Sequence, residues 1–314
     1  MKIIDKNYKI FKKKKNFNLI ICSIINLFNF LRLNKKIKVI FSMQNHLPAI
    51  FLAIIFRKKI IIRNSEEIFG ATKYADHKSS AYLVLFLKLF FYNFADLVIA
   101  ISNKSKLSLE KLGINKIKIK LIYNPFLKKI IKKQDKNYFY GNPFNILSIG
   151  RLTKQKNFSD LIDIISTLQN KYPFICLKII GNGPDYSFLK SKIRVNKKIS
   201  IIKWNKNLKK YYKNSHLFVL NSYYEGLPNI LIEAINYNVP CIATNCSGTQ
   251  DILMNNRGGF IVSVADKDAM MKKIEYVLKN YKNSVYKTKI SKKNIFRFNQ
   301  KNCSKYYTQI KKYI

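Results

Sequence analysis

Ser222-Tyr223-Tyr224-Glu225-Gly226-Leu227-Pro228-Asn229-Ile230-Leu231-Ile232-Glu233-Ala234 reads as the exit of a strand, a tight turn and the opening of an apolar helix. Gly226 permits the turn. Pro228 suits the first helical position, because its φ is already helical and it has no N–H to leave unpaired. A strand–turn–helix of this kind sets free backbone N–H groups, and the positive end of a helix dipole, at the carboxyl edge of a sheet. That edge suits a phosphate or a sugar hydroxyl. Glu225 stands before the helix and Glu233 within it, so both are expected to face one crevice. The chain has only 16 acidic residues, and Glu233 is set among Leu231, Ile232, Ala234 and Ile235. A solvated face does not explain it; the competing reading is a buried Glu satisfied by local backbone donors.

Working outward, short β-branched runs alternate with longer helical patterns, the signature of a parallel α/β sheet. Strands are expected at 145–149, 175–180, 199–203, 217–220, 240–243 and 258–262, with helices at 158–170, 185–194, 208–214 and 267–279. The first part of the chain shows the same rhythm. Its strands are expected at 38–42, 59–63, 97–101 and 117–122, and its helices at 47–57, 79–94 and 103–112, the last ended by Gly113. Residues 126–143 lack a clean period and end in Gly141-Asn142-Pro143, so they read as a linker. The expected division is an N-terminal domain over 1–125, a C-terminal domain over 144–289, and a C-terminal helix within 290–314 packing back toward the first domain.

Hydrophobic residues make up 48% of the 314, enough for a full core. The formal charge of +43 raises nucleic acid as a partner. Two features argue against it. Only 7 of the 59 basic residues are Arg, whose planar fork is the usual reader of bases and phosphates. The charge is also spread evenly, +18 over residues 1–125 and +25 over the rest. Lys, Asn, Ile, Tyr and Phe are frequent together, as A/T-rich codons dictate, and most of the charge is expected on solvated faces. For a functional basic surface the expected partner is an anionic membrane leaflet, not a specific nucleic acid.

The five cysteines (22, 176, 241, 246 and 303) show no CxxC spacing and sit mostly in apolar runs, so they are expected to be reduced and buried. His46, His77 and His216 have no clustered Cys, and no metal site is expected. The apolar runs at 17–31 and 82–94 are shorter than the roughly 20 residues of a membrane span. Each is expected to be a buried or membrane-surface helix in a cytoplasmic protein, peripheral at most on the inner face of the membrane.

Several further segments fall in order along the chain. Gly150-Arg151-Leu152-Thr153-Lys154-Gln155-Lys156-Asn157 has the form GRLxxxK, and Ile180-Gly181-Asn182-Gly183-Pro184 the form xGxGP. Val239-Pro240-Cys241-Ile242-Ala243-Thr244, Ser247-Gly248-Thr249-Gln250-Asp251-Ile252 and Gly258-Gly259-Phe260-Ile261-Val262 follow the Glu225 segment. Ala95-Asp96-Leu97-Val98-Ile99-Ala100-Ile101-Ser102 and Ile122-Tyr123-Asn124-Pro125 precede them all. With Glu225 and Glu233 spaced as EX7E, this series resembles family 4 glycosyltransferases of the GT-B fold over most of residues 37–300. A dinucleotide-binding reading of Gly181-Asn182-Gly183 fails, because Tyr186 stands where GxGxxG has its third glycine.

The resemblance implies an α/β chain of GT-B class, two Rossmann-like parallel-sheet domains facing a cleft. The N-terminal domain is expected to be incomplete, since the family's opening strand, Gly-rich loop and helix have no counterpart in residues 1–36, which contain no Gly. It implies a hexosyltransferase working with retention and without a metal or other cofactor. Sugar would pass from a nucleotide-sugar to a glycan or lipid-linked acceptor, in surface polysaccharide or lipopolysaccharide synthesis. Arg151 and Lys156 would grip the donor diphosphate, Glu225 would contact the donor sugar, and Glu233 would hold the ribose hydroxyls. The turn of Gly226, Leu227, Pro228 and Asn229 would offer backbone N–H groups, and Gly181 and Gly183 would let backbone come close to the nucleotide. His46, past the strand at 38–42, is a further catalytic candidate, with Arg63 beside the same cleft. The competing expectations are a truncated, inactive remnant that only binds nucleotide-sugar, and a nucleic-acid binder driven by charge.

Overall fold

The computed structural model of the chain describes residues 19–44, 46–131 and 143–313. Most of the expected linker, and the Lys run at 12–15, lie outside them. Two parallel sheets form the frame. The first holds β1 (Val39–Ser42), β2 (Lys59–Asn64), β3 (Leu97–Ala100) and β4 (Ile119–Leu121) in the order β1-β2-β3-β4. The second holds β5 (Phe144–Ile149), β6 (Ile175–Ile180), β7 (Ile199–Ile202), β8 (Leu217–Leu220), β9 (Cys241–Thr244) and β10 (Phe260–Val262) in the order β10-β9-β8-β5-β6-β7. Its order reverses at β5, so β5 and β8, the strands that open onto Arg151 and Glu225, lie side by side at the switch point. Crevices for ligands form at such points in open parallel sheets.

Strands β3, β8 and β9 are buried at every residue, which is why they read as unbroken apolar runs instead of alternating. Separate apolar clusters fill the two faces of the second sheet, one under the helices Phe158–Lys171 and Lys267–Lys279, the other under Asn229–Asn236. The first sheet is covered unequally. One face packs under the helices His46–Ile55, Ile68–Lys73 and Asn103–Lys111. On the other, Ile61, Leu97, Ile99 and Ile122 lie against Tyr306, Ile310 and Tyr313 from the end of the chain. Tyr306 donates to the carbonyl of Ile122 (3.1 Å) and Tyr313 to that of Asp96 (3.3 Å), so the helix Cys303–Lys311 is tied to the N-terminal sheet.

The C-terminal region differs from the expectation in one respect. A helix over Tyr281–Asn294 crosses the expected boundary at 289/290 and packs on the second domain. Its buried stripe is Ser284, Thr288 and Ser291, small and polar, so it carries no apolar period to read. Ser291 sits against Gly258 and donates to the carbonyl of Ile252 (3.0 Å). The cysteines also divide: Cys241 and Cys246 are buried, Cys176 is half-buried, and Cys303 is exposed. No helix among the described residues is long and apolar enough to cross a membrane.

The domains meet through a polar seam. Asp251, in the short helix Thr249–Leu253, accepts from the backbone N–H of Asn103 (3.1 Å), from the side-chain amide of Asn103 and from Tyr123 Oη (2.8 Å). Arg297 stacks over the Tyr123 ring and donates to the Asp251 carbonyl (2.7 Å). Ser102 and Ser247 share a buried hydrogen bond of 2.7 Å, and Tyr74 stacks on Tyr223 with ring centres 4.7 Å apart.

Candidate functional site

Glu225 is buried beneath the loops that end β5 and β8, with its carboxylate held from two sides. Ser222 Oγ donates to Oε1 (2.7 Å), and the Lys156 ammonium closes a salt bridge onto the same oxygen. Both partners are well inside, with side chains 9% and 14% exposed, so the pair is shielded from the solvent screening that weakens surface ion pairs. Lys156 reaches this position because residues 154–156 form a 3-10 turn ended by Asn157 in the left-handed region (φ 49°). That turn is pinned by Asn221, whose amide donates to the carbonyl of Asn157 (3.1 Å). Gln155 bridges the two loops, accepting at its carbonyl from the N–H of Tyr223 and donating its amide to the carbonyl of Tyr224, each at 2.8 Å.

Arg151 projects from the same edge and is exposed; no side-chain partner for it is found among the described residues. Helix Asn229–Asn236 starts one residue later than the sequence suggests. Pro228 is extended (ψ 93°) and caps the helix, while Leu227 and Pro228 are both buried. Asn229 accepts from the Asn124 amide across the domains (3.2 Å). Glu233 takes a hydrogen bond from Tyr212 Oη (2.8 Å), and burial pushes its carboxyl above the usual range against the lowering effect of that bond. Tyr212 is itself fully buried and stacked on Tyr237 at 5.2 Å. The carboxylates of Glu225 and Glu233 thus have different partners and are not a free acid/base couple of the hydrolase kind.

The glycines are needed for contacts within the chain. A Cβ on Gly181 would lie 1.8 Å from the carbonyl oxygen of Gly150, and one on Gly183 2.2 Å from that of Leu152. These positions bring the ends of β5 and β6 together, a reason for Gly beyond the expected approach to a nucleotide. At Gly226 the crowding crosses the cleft, with a Cβ only 1.9 Å from the carbonyl oxygen of Ser65.

His46 is placed elsewhere. It opens the helix His46–Ile55, shares a hydrogen bond with Ser42 Oγ (2.9 Å) through Nδ1, and sets its ring edge-on to Tyr92 at 5.9 Å. No hydrogen bond or ring contact joins it to Arg151, Lys156 or Glu225. Arg63 likewise turns to Tyr306 (3.3 Å), toward the other face of its sheet. Burial, assisted by Lys88, lowers the His46 pKa to about 4, so the folded protein keeps it neutral where the unfolded chain protonates it. The unfolded state therefore binds more protons between pH 6.5 and 4, and stability falls as pH drops through that window, by about 3 kcal/mol from this residue. His46→Gln is expected to flatten this part of the stability–pH curve measured by urea unfolding; an unchanged curve contradicts the burial.

Ser222, Tyr212 and Gln155 were not singled out by the sequence, since each is marked only by a contact made in the fold. No group of three or more His, Cys, Asp or Glu that could hold a metal is found among the described residues.

Two parallel-sheet domains, joined edge to edge over a strand-end cluster of Arg, Lys and Glu, define a protein of the GT-B class. Residues 129–294 match the family described as glycosyl transferases group 1, and the chain belongs to that family. It is 30% identical over 56% of its length to the amylovoran biosynthesis glycosyltransferase AmsD of Erwinia amylovora, covering 50% of that protein. It is 27% identical over 65% of its length to the UDP-Gal:alpha-D-GlcNAc-diphosphoundecaprenol alpha-1,3-galactosyltransferase of Escherichia coli, covering 56% of that protein. The chain thus spans about half the length of the curated relatives it matches. The crystal structure of Anabaena HepE in complex with UDP shares the fold, with a TM-score of 0.72 at 14% identity over 91% of this chain and 82% of that one.

Proposed function

We propose that the chain transfers a hexosyl group, with retention and without a metal, from a nucleotide-sugar to a glycan or lipid-linked acceptor in surface polysaccharide synthesis. The observation that carries this reading is the strand-end cluster at the switch point: an Arg151 with no side-chain partner among the described residues, a Lys156–Glu225 pair, and Glu233 held by Tyr212, in a chain of group 1. Arg151 and Lys156 hold the donor diphosphate and offset the charge that grows on it as the glycosyl bond breaks. Glu225, positioned by Ser222, receives the donor sugar, and Glu233 accepts from the ribose hydroxyls. The glycosidic C1–O bond to phosphate breaks as C1 bonds to the acceptor oxygen on the same face. The acceptor proton passes to the departing phosphate oxygen. The EX7E spacing of Glu225 and Glu233 supports membership of family 4.

A peripheral station on the inner face of the membrane is part of the proposal. Its support is the helix Lys78–Phe91, which buries none of its residues and exposes Tyr82, Leu83, Phe86 and Phe90. Donor class is tested by thermal shift against UDP-, GDP- and ADP-linked sugars. One nucleotide series is expected to raise the midpoint by several degrees at about 100 times its Kd. No shift with any of the three overturns the donor site.

A further inference from the structure

The polar seam between the domains has a cavity of its own, of about 430 Å³, and none of Arg151, Lys156, Glu225 or Glu233 lines it. Its wall joins Asn103 of the first domain to Asp251 and Arg257 of the second and to Arg297 on the returning chain. Of the lining residues only Met254 is apolar, so hydrocarbon does not suit the space. Two of the seven Arg line it, in a chain whose basic residues are mostly Lys. Arg297 is held flat: it stacks over Tyr123 and donates from Nε to the carbonyl of Asn294 (3.4 Å) and from Nη2 to that of Asp251 (2.7 Å). That leaves three of the five guanidinium N–H groups without a partner among the described residues. Arg257 is exposed, and its side chain makes one long bond there, from Nε to the carbonyl of Met254 (3.4 Å).

No carboxylate pairs with either guanidinium among the described residues. Asp251, the acidic residue of the lining, is buried, and its carboxylate is taken up by Asn103 and Tyr123. The lining therefore keeps a net positive charge, with amides around it. The Asn255 side chain makes no hydrogen bond among the described residues, and Gln250 donates its amide to Asn245 Oδ1 (3.1 Å), which leaves its own oxygen open. Met254, Asn255 and Asn256 follow one another in the left-handed region, at φ of 52°, 52° and 71°. L side chains adopt this conformation at a cost, and such strain gathers at ligand sites. Here the turn sets Asn255 and Arg257 on the cavity wall.

Two guanidinium forks without a carboxylate fit an oxyanion, which Arg grips at two points where Lys offers one. The amides and the open Gln250 oxygen beside them fit hydroxyl groups. We infer that this cavity is a second ligand site, and that its ligand is a phosphorylated monosaccharide. The phosphate lies between Arg257 and Arg297, and the sugar hydroxyls lie on Asn103, Gln250 and Asn255. Bound there, the ligand touches both domains and the returning chain, and so holds the seam in its closed arrangement. The site shares no residue with the proposed donor site and does not rest on it.

The test is a calorimetric titration of the full chain with glucose 6-phosphate, inorganic phosphate and glucose, each with UDP present at saturation to fill the donor site. Glucose 6-phosphate is expected to bind, and Arg257→Gln to weaken it about tenfold or more, as loss of charged contacts to phosphate does. Arg257→Lys keeps the charge without the fork and is expected to weaken it nearly as much. Arg257 is exposed and stands outside the Asp251, Asn103 and Tyr123 bonds, so neither variant disturbs the seam. Arg194→Gln removes the same charge from an exposed position elsewhere on the second domain and is expected to change nothing. No binding of glucose 6-phosphate, or equal weakening by Arg257→Gln and Arg194→Gln, or weakening by neither, overturns the site. Inorganic phosphate binding as tightly as the sugar phosphate overturns the sugar assignment and points to a bare oxyanion. Failure of UDP to bind, with glucose 6-phosphate still bound in an Arg257-dependent way, overturns the donor site and leaves the seam site standing.

Discussion

Lys156→Met is expected to lower the unfolding free energy by about 3–5 kcal/mol, the usual result of stripping the partner from a buried charge. Glu225 would remain buried, with Ser222 as its hydrogen-bond partner, and its charge would have no counterweight. Lys156→Met/Glu225→Gln should recover much of that loss, because a neutral amide needs hydrogen bonds but no cation. Denaturant unfolding of the two single variants and the double variant measures the coupling directly. Losses that simply add, each under about 1 kcal/mol, would show that water reaches the pair. The double variant should stay inactive, since both groups are assigned to the donor. Recovery of stability without recovery of transfer separates the structural role of the pair from its chemical one.

Gly226→Ala is the second large effect, and it acts between the domains. The backbone at Gly226 is not in the left-handed region, so Ala suits the local chain. The conflict is with Ser65 on the opposite domain, whose carbonyl oxygen would lie 1.9 Å from the new Cβ. The cleft must open by something on the order of 1 Å, a misplacement that lowers a positioned reaction about a hundredfold. Transfer should fall by about that factor, while UDP affinity changes little because the residues proposed to hold phosphate and ribose, Arg151, Lys156 and Glu233, sit on one domain. Gly181→Ala differs in kind: its clash is with Gly150 in the same domain, so it should impair folding itself. Transfer at the wild-type rate by Gly226→Ala would mean that the domains do not work in this closed arrangement.

The sequence carried the two-sheet frame because parallel strands buried on both faces write themselves as apolar runs. Leu97–Ala100 and Leu217–Leu220 are such runs. Gly113, expected to end its helix, does sit in the left-handed region at φ 76°. Elements that lack a period were not legible. Ile68–Lys73 and Thr249–Leu253 are too short to show one, and Tyr281–Asn294 buries Ser and Thr where an apolar stripe was sought. Of the candidate site, Glu225 was marked by the turn that leads into its helix, and Arg151 and Lys156 by the GRLxxxK form through which the segment resembles the family; the fold brings Lys156 to Glu225. The residues that hold them could not be named. Tyr212 finds Glu233 from 21 positions away, and Asn103 finds Asp251 from 148. His46 shows the converse, since a His after a strand looks the same in sequence whether it opens toward a cleft or packs on Tyr92.

The central claim is that the Arg151–Glu233 edge of the second domain holds a nucleoside diphosphate. Calorimetric titration of UDP into the wild type, Arg151→Ala, Glu233→Ala and Glu233→Gln tests it most directly. Gln can still accept from Tyr212, so Glu233→Gln should preserve the fold around the helix while removing the carboxylate. Arg151→Ala and both Glu233 variants should weaken UDP by about tenfold or more, the value of charged hydrogen bonds to phosphate and ribose. UDP binding that is the same in all four proteins would contradict the placement of the site.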